Sequence, residues 1–117
     1  MVSNTRTLRG HLFENAVILE LRKHRLNKGL DPNLFYYRDA QKNEVDVIYK
    51  CGHQLIPIEI KSSMTYHNDF LKGLQDFHAL VKERAPHSFL IYAGNLEQKM
   101  HETQILNFHH SHLALNP

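Results

Sequence analysis

Residues 44–63, "EVDVIYKCGHQLIPIEIKSS", read as a strand, a turn and a second strand. In the second strand Ile56, Ile58 and Ile60 share one face by period-two alternation. Pro57, Glu59 and Lys61 share the other. A strand with so apolar a back belongs inside a sheet. A carboxylate and an ammonium two residues apart on its front then mark either a solvated strand face or a site.

Register across the turn decides what faces Glu59. With Cys51-Gly52 as a two-residue turn, Asp46 lies opposite Pro57 and diagonal to Glu59. With "CGHQ" (51–54) as the loop, Asp46 lies directly opposite Glu59. A three-residue loop sets Asp46 opposite Ile58, dragging a carboxylate into the isoleucine face, and the apolar pattern disfavours it. Both remaining registers put Asp46, Glu59 and Lys61 on one face. They predict Val45 and Val47 on the other, beside the three isoleucines.

Working outward, residues 8 to about 28 have helical spacing, with one apolar row of Leu12, Ala16 and Leu19 and another of Phe13, Val17 and Leu21. Gly29 and Pro32 end that helix. "LFYYRD" (34–39) is aromatic-rich and strand-like, and "AQKN" is a polar turn. Residues 69–85 return to helical spacing, with Phe70, Leu74, Phe77 and Val81 on one stripe, Asn68 as N-cap and Pro86 as stop. "SFLIYA" (88–93) reads as a short buried strand and "TQILNF" (103–108) as a last one. The order is α-β-β-β-α-β. Short turns make the first three strands an antiparallel meander. The second helix is long enough to cross over and set the fourth strand parallel. The expected fold is α/β, a mixed sheet flanked by helices.

Composition narrows the function classes. A chain of 117 residues reads as a single domain, 1–117, with 42% apolar and 22% charged residues, as in ordinary globular proteins. No apolar run is long enough to cross a bilayer, and "MVSNTRTLRG" lacks the apolar centre of a signal peptide, so a cytoplasmic protein is expected. One cysteine, Cys51, excludes an internal disulfide and a zinc framework. The net charge of +2 excludes a strongly basic nucleic-acid binder. Basic residues still concentrate near the start: Arg6, Arg9, Arg22, Lys23, Arg25 and Lys28 stand against Glu14 and Glu20. Such a helix either meets phosphates or is a solvated face. His101, His109, His110 and His112 lack the i, i+4 pair with an intervening glutamate of a helical zinc hydrolase.

Two neighbouring carboxylates repel, and something must offset this. Lys61 can do so as an ion pair. A divalent cation does so better, and a small all-oxygen site on rigid strands suits Mg²⁺ or Mn²⁺. An ammonium beside it can orient a water, which is equipment for hydrolysing a phosphodiester.

These residues resemble the PD-(D/E)XK nuclease superfamily. Asp46 is followed, after a twelve-residue gap, by Glu59-Ile60-Lys61 on the next strand, and Glu14 in "GHLFENAVILEL" matches the acidic residue usual on the preceding helix. Over residues 9–93, "G-x-L-F-E-N-x-V", "FYYRD", "EVDVI", "PIEIKSS" and "KGL" further resemble the C-terminal domain of unknown function of a family of prokaryotic AAA-type ATPases. Val45 stands where the superfamily's name has proline, and there is no G-x-x-x-x-G-K-[ST], so the chain is not the nucleotide-binding part.

The resemblance implies a restriction-endonuclease-like core and a role for each residue. Asp46, Glu59 and the Ile60 carbonyl would bind Mg²⁺ or Mn²⁺. Glu14 would reach the metal directly or through water. Lys61 would position the attacking water and stabilise developing charge. Gln75 lies where some relatives carry a functional glutamine. The chain would be a free-standing truncated relative or a piece of a larger ATPase. Two functions follow: a Mg²⁺-dependent DNA endonuclease-like domain, or a non-catalytic module with that fold. The second would bind DNA, an ATPase domain or a homodimer partner.

Overall fold

In chain order the elements are α1 (Val2–Asn27), β1 (Leu34–Arg38), β2 (Glu44–Cys51), β3 (Gln54–Lys61), α2 (Lys72–Leu80), β4 (Ser88–Tyr92), β5 (Lys99–Met100) and β6 (Thr103–Asn107). A 3-10 turn, Asn68–Leu71, leads into α2, and a 3-10 segment, Phe108–Leu115, follows β6. The structure, a computed structural model, describes residues 2–82 and 85–117, with side chains from residue 8 onward. The predicted Arg6 side chain and positions 83–84 of the second predicted helix lie outside the described residues.

The six strands form one sheet in the order β1-β2-β3-β4-β6-β5. The meander β1-β2-β3 is antiparallel, and α2 carries the chain across to a β4 that pairs parallel with β3. β6 adds parallel to β4, and the two-residue β5 closes the edge antiparallel. This is the mixed α/β sheet flanked by helices that the element order predicts. No helix among the described residues is long and apolar enough to cross a membrane.

Between β2 and β3 the pairs run from Cys51–Gln54 and Lys50–Leu55 to Val47–Ile58. This is the register of the "CGHQ" loop, tightened to Gly52-His53. Gly52 sits at φ +63°, a left-handed conformation that costs a residue without Cβ little.

Each sheet face carries its own core. On one, Ile56, Ile58, Ile60, Val47 and Tyr49 meet Val17 and Leu21 of α1 and Ala114 and Leu115 of the tail. Phe13 meets Phe108 edge-on at 5.4 Å and ties the tail to α1. On the other, Leu74 and Phe77 of α2 meet Ile48, Leu90, Tyr92 and Ile105, with Phe70 and Val81 half-buried beside them. A side chain as fully buried as Leu21 or Leu74 contributes about 1.5–3 kcal/mol.

Three expectations are corrected. Val45 lies in the α2-side core, not beside the isoleucines. Of the two apolar rows on α1, Val17 and Leu21 are buried, whereas Leu12 and Leu19 stand 61% and 63% exposed. Asn68 is not an N-cap. His67 precedes the 3-10 turn without a side-chain bond, and the α-helix starts only at Lys72 and stops at Leu80, before Pro86. The final histidines, His109, His110 and His112, lie on the 3-10 segment. Asn107 caps that segment by accepting the His109 N–H at 2.9 Å.

Candidate functional site

The misplaced Val45 has a local cause, and that cause builds the site. Phe35 pairs with Ile48, and Tyr37 with Val45. Two steps along β1 therefore face three along β2, so β2 holds one extra residue at Asp46–Val47. Such a bulge rotates the strand and re-aims a side chain. It turns Val45 to the α2 side and swings Asp46 into the gap beyond the last β2–β3 pair. There Asp46 Oδ2 accepts the Ile60 N–H at 2.7 Å, and the Asp46 N–H donates to Glu59 Oε1 at 3.2 Å.

Glu59 is only 7% exposed, which excludes a solvated strand face for it. Its carboxyl is pushed up to about 9, first by burial, then by a hydrogen bond to Asp46, then by the Asp46 charge, with Lys61 opposing. A glutamate at so high a value carries its proton at neutral pH. Asp46, holding the Ile60 amide, and the Glu59 carboxyl thus meet between the two strands.

Lys61 follows Glu59 by two residues on β3 and pairs in register with Tyr92 of β4. Its Nζ lies over the Phe70 ring at 5.8 Å and draws down the carboxyls of both Glu59 and Glu14. Glu14, half-buried on α1, is raised first by burial and then by the charge of Asp46. The helix and the two strands therefore bring Glu14, Asp46, Glu59 and Lys61 into one electrostatic neighbourhood. Glu14 stays outside a common ligand shell. Among the described residues no three His, Cys, Asp or Glu side chains are gathered to hold a metal. Ile60 enters through its N–H, and its carbonyl faces the same gap because both groups of a strand residue point to one side.

Other candidates separate from the site. Gln75 lines a cavity on the opposite part of α2 with Leu71, His78 and Met100. Tyr37 is structural: its ring meets Phe77 edge-on at 5.0 Å. Arg38 pairs with Glu44 at 3.6 Å across two exposed side chains. His110 bonds Glu97 at 2.6 Å and holds that carboxylate below its usual value.

Sequence reasoning missed Gly73. A Cβ there would sit 2.7 Å from Glu59 Oε2 and 3.1 Å from the Glu44 carbonyl oxygen. The bare backbone of α2 is what lets the helix lie directly on the Glu59 carboxyl. The "KGL" triplet contained the signal, but a glycine inside a helix reads only as a mild weakness.

Over residues 9–110 the chain matches the family DUF4143, a domain of unknown function, and it belongs to that family. No curated protein and no solved structure matches it.

Proposed function

We propose that this domain is a metal-dependent nuclease of the PD-(D/E)XK type, hydrolysing DNA phosphodiester bonds. The observation that carries the reading is the pairing of half-buried Asp46 with buried Glu59 at the β2 bulge, with Lys61 next on β3. A buried carboxyl group beside a second one is costly unless a proton or a cation joins them. The donors suit a hard cation that keeps most of its own waters: two carboxylates and an inward main-chain carbonyl, all oxygen. Mg²⁺ or Mn²⁺ bound there would supply Lewis acidity to a phosphoryl oxygen.

The residues of the chain supply the rest. The Ile60 amide holds Asp46 in place. Glu59 gives up its proton and becomes the second anionic donor. The Lys61 ammonium orients the attacking water and offsets charge developing on the phosphorus oxygens. Glu14 holds water on the α1 side. Supercoiled plasmid incubated with Mg²⁺ or Mn²⁺ tests the reading: nicking that EDTA stops is expected.

A second reading is favoured by the outer side of α1, where Leu8, Leu12, Leu19 and Leu26 are exposed. Their spacing places them on one helix face. In this reading the domain packs on an AAA-type ATPase domain or on a second copy and performs no chemistry. No cleavage of duplex, branched or single-stranded DNA, together with concentration-dependent association lost in Leu12→Gln/Leu19→Gln, would support it.

A further inference from the structure

We propose that the outer face of α1 docks an acidic amphipathic helix of a partner protein, with its leucines as the seam and Arg9, Arg22 and Lys23 as cationic rims. The proposal rests on the second reading above for the existence of a partner, and it names that partner's chemistry.

The turn of the helix sets the apolar residues of α1 on two opposite sides. Val17 and Leu21 enter the sheet core. Leu8, Leu12, Leu19 and Leu26 stand roughly half a turn away, within an arc of about 40°. Each of the four is more than half exposed. From Leu8 to Leu26 they form a line about 27 Å long. Leu12, Leu19 and Leu26 recur every seven residues, the repeat that keeps a seam turned towards a second helix.

So narrow a seam fits a helix better than a bilayer. A helix lying in a membrane surface buries a broad apolar face, whereas a strip confined to two heptad rows is the mark of helix pairing. Asn15 and Arg22 continue the row that Leu8 begins, one and two heptads on. Lipid tails offer an amide or a guanidinium no hydrogen bond, and a facing helix can.

Charge decides what kind of helix. Arg22 borders the seam on the β1 side, where it lines a hollow with Ile18 and Tyr36. Lys23 and Arg9 border it on the other side, and all three cations are exposed. The two carboxylates of α1 turn elsewhere. Glu14 is half-buried and feels the Asp46 charge, and Glu20 lines a cavity against the tail with His24 and Phe108. Cations alone therefore rim the leucines. A second copy would bring the same cations to the contact, with no carboxylate to meet them. A helix whose apolar stripe is flanked by glutamate or aspartate matches both the seam and its rims.

Two synthetic helical peptides of about three heptads serve as probes. Both carry leucine at the two seam positions of each heptad; one has glutamate and the other lysine at the flanking positions. Each is labelled with fluorescein and titrated with the full chain at low salt, with anisotropy as the readout. The glutamate peptide should bind roughly tenfold more tightly or better, and added salt should narrow the difference. Arg22→Glu/Lys23→Glu should invert the preference, which only a folded seam can do. Leu12→Gln/Leu19→Gln should lose both peptides at an unchanged melting temperature. Equal binding of the two peptides, binding of neither, or tighter binding to phosphatidylglycerol vesicles than to the glutamate peptide would overturn the proposal. Dimerisation of the chain that Leu12→Gln/Leu19→Gln abolishes would also overturn it, yet leave the second reading standing with a second copy as partner. Plasmid nicking, by contrast, would end that reading's claim of no chemistry and does not enter these titrations, so the two failures are read apart.

Discussion

The main-chain N–H of Asp46 donates to the Glu59 carboxyl at 3.2 Å, one step beyond the last β2–β3 pair, Val47–Ile58. An amide that would otherwise serve a neighbouring strand is thus spent on a buried acid. The contact favours the ionised form of Glu59, but burial and the neighbouring Asp46 side chain outweigh it and keep the proton on Glu59.

Stability of the metal-free protein should fall as pH rises. Glu59 titrates near 4.5 when unfolded but at about 9 when folded, so between those values the folded state holds the extra proton. Its contribution is fully present below pH 4.5 and is lost as pH climbs towards 9, with a slope of at most about 1.4 kcal/mol per pH unit. Glu14, also raised, acts in the same direction. Asp39 and Glu97, both lowered, matter only at acid pH. Denaturant melts across neutral and alkaline pH should show the decline, and Glu59→Gln should flatten it. That variant should also be more stable than the parent at pH 8, by on the order of 1 kcal/mol, since a Gln amide mimics the protonated acid.

Mn²⁺ should raise the melting temperature and release a proton on binding. The cation displaces the proton that Glu59 carries, so affinity should increase with pH. Calorimetric titration in two buffers of different ionisation heat measures the release. Asp46→Asn and Glu59→Gln should each abolish the thermal shift, because each removes an anionic donor. A shift retained in both would place the cation elsewhere.

Lys61→Ala should keep most of the Mn²⁺ shift and lose cleavage. The ammonium acts on water and on phosphoryl charge, not on the cation, so binding and turnover should separate. A loss on the order of a hundredfold or more in nicking rate is expected from removing such a group. Equal loss of metal binding would make Lys61 a structural partner of the carboxylates.

Gly73→Ala should weaken the metal site without touching a ligand. Alanine improves helix propensity by up to about 1 kcal/mol, but overpacking costs about 1–3 kcal/mol, and its Cβ meets Glu59 and the Glu44 carbonyl. The carboxyl end can shift, whereas the strand backbone cannot. A net loss of stability and a smaller Mn²⁺ shift are expected. Ala79→Gly, on the exposed last turn of the same helix, serves as a control that should leave the shift intact.

How far the fold was legible follows from where side chains alternate. Ile56, Ile58 and Ile60 define β3 unambiguously, and Gly52 marks the hairpin. The turn after β1 is equally plain: Asp39 accepts the main-chain N–H groups of Gln41 and Asn43, each at 2.9 Å. The bulge was not legible. Val45-Asp46-Val47 alternates perfectly on paper, and only pairing with β1 reveals the extra residue. Nor does periodicity say which of two apolar helix rows is covered, so Leu12 and Leu19 looked equivalent to Val17 and Leu21. Asp46, Glu59 and Lys61 stood out because the hairpin register sets Asp46 opposite Glu59 and strand spacing sets Lys61 two residues on, whereas the aim of Asp46 depends on the bulge. Phe35 and Tyr36, both exposed, read only as strand formers, because β propensity does not distinguish a ring in the core from one at an edge.

The parallel pairing of β3 with β4 also governs the order in which the protein assembles. The β2–β3 hairpin can close from neighbouring residues alone, so Asp46 and Glu59 can meet early. The dry surroundings that keep the proton on Glu59 come later. Gly73 must first dock with α2, and Leu90 must reach its place beside Glu59 by the crossover through α2. Contacts so distant along the chain form slowly. During synthesis, the acids therefore emerge well before the residues that desolvate them. In that interval they behave as an ordinary hydrated pair, and the raised titration of Glu59 is the last feature of the site to appear in a refolding time course.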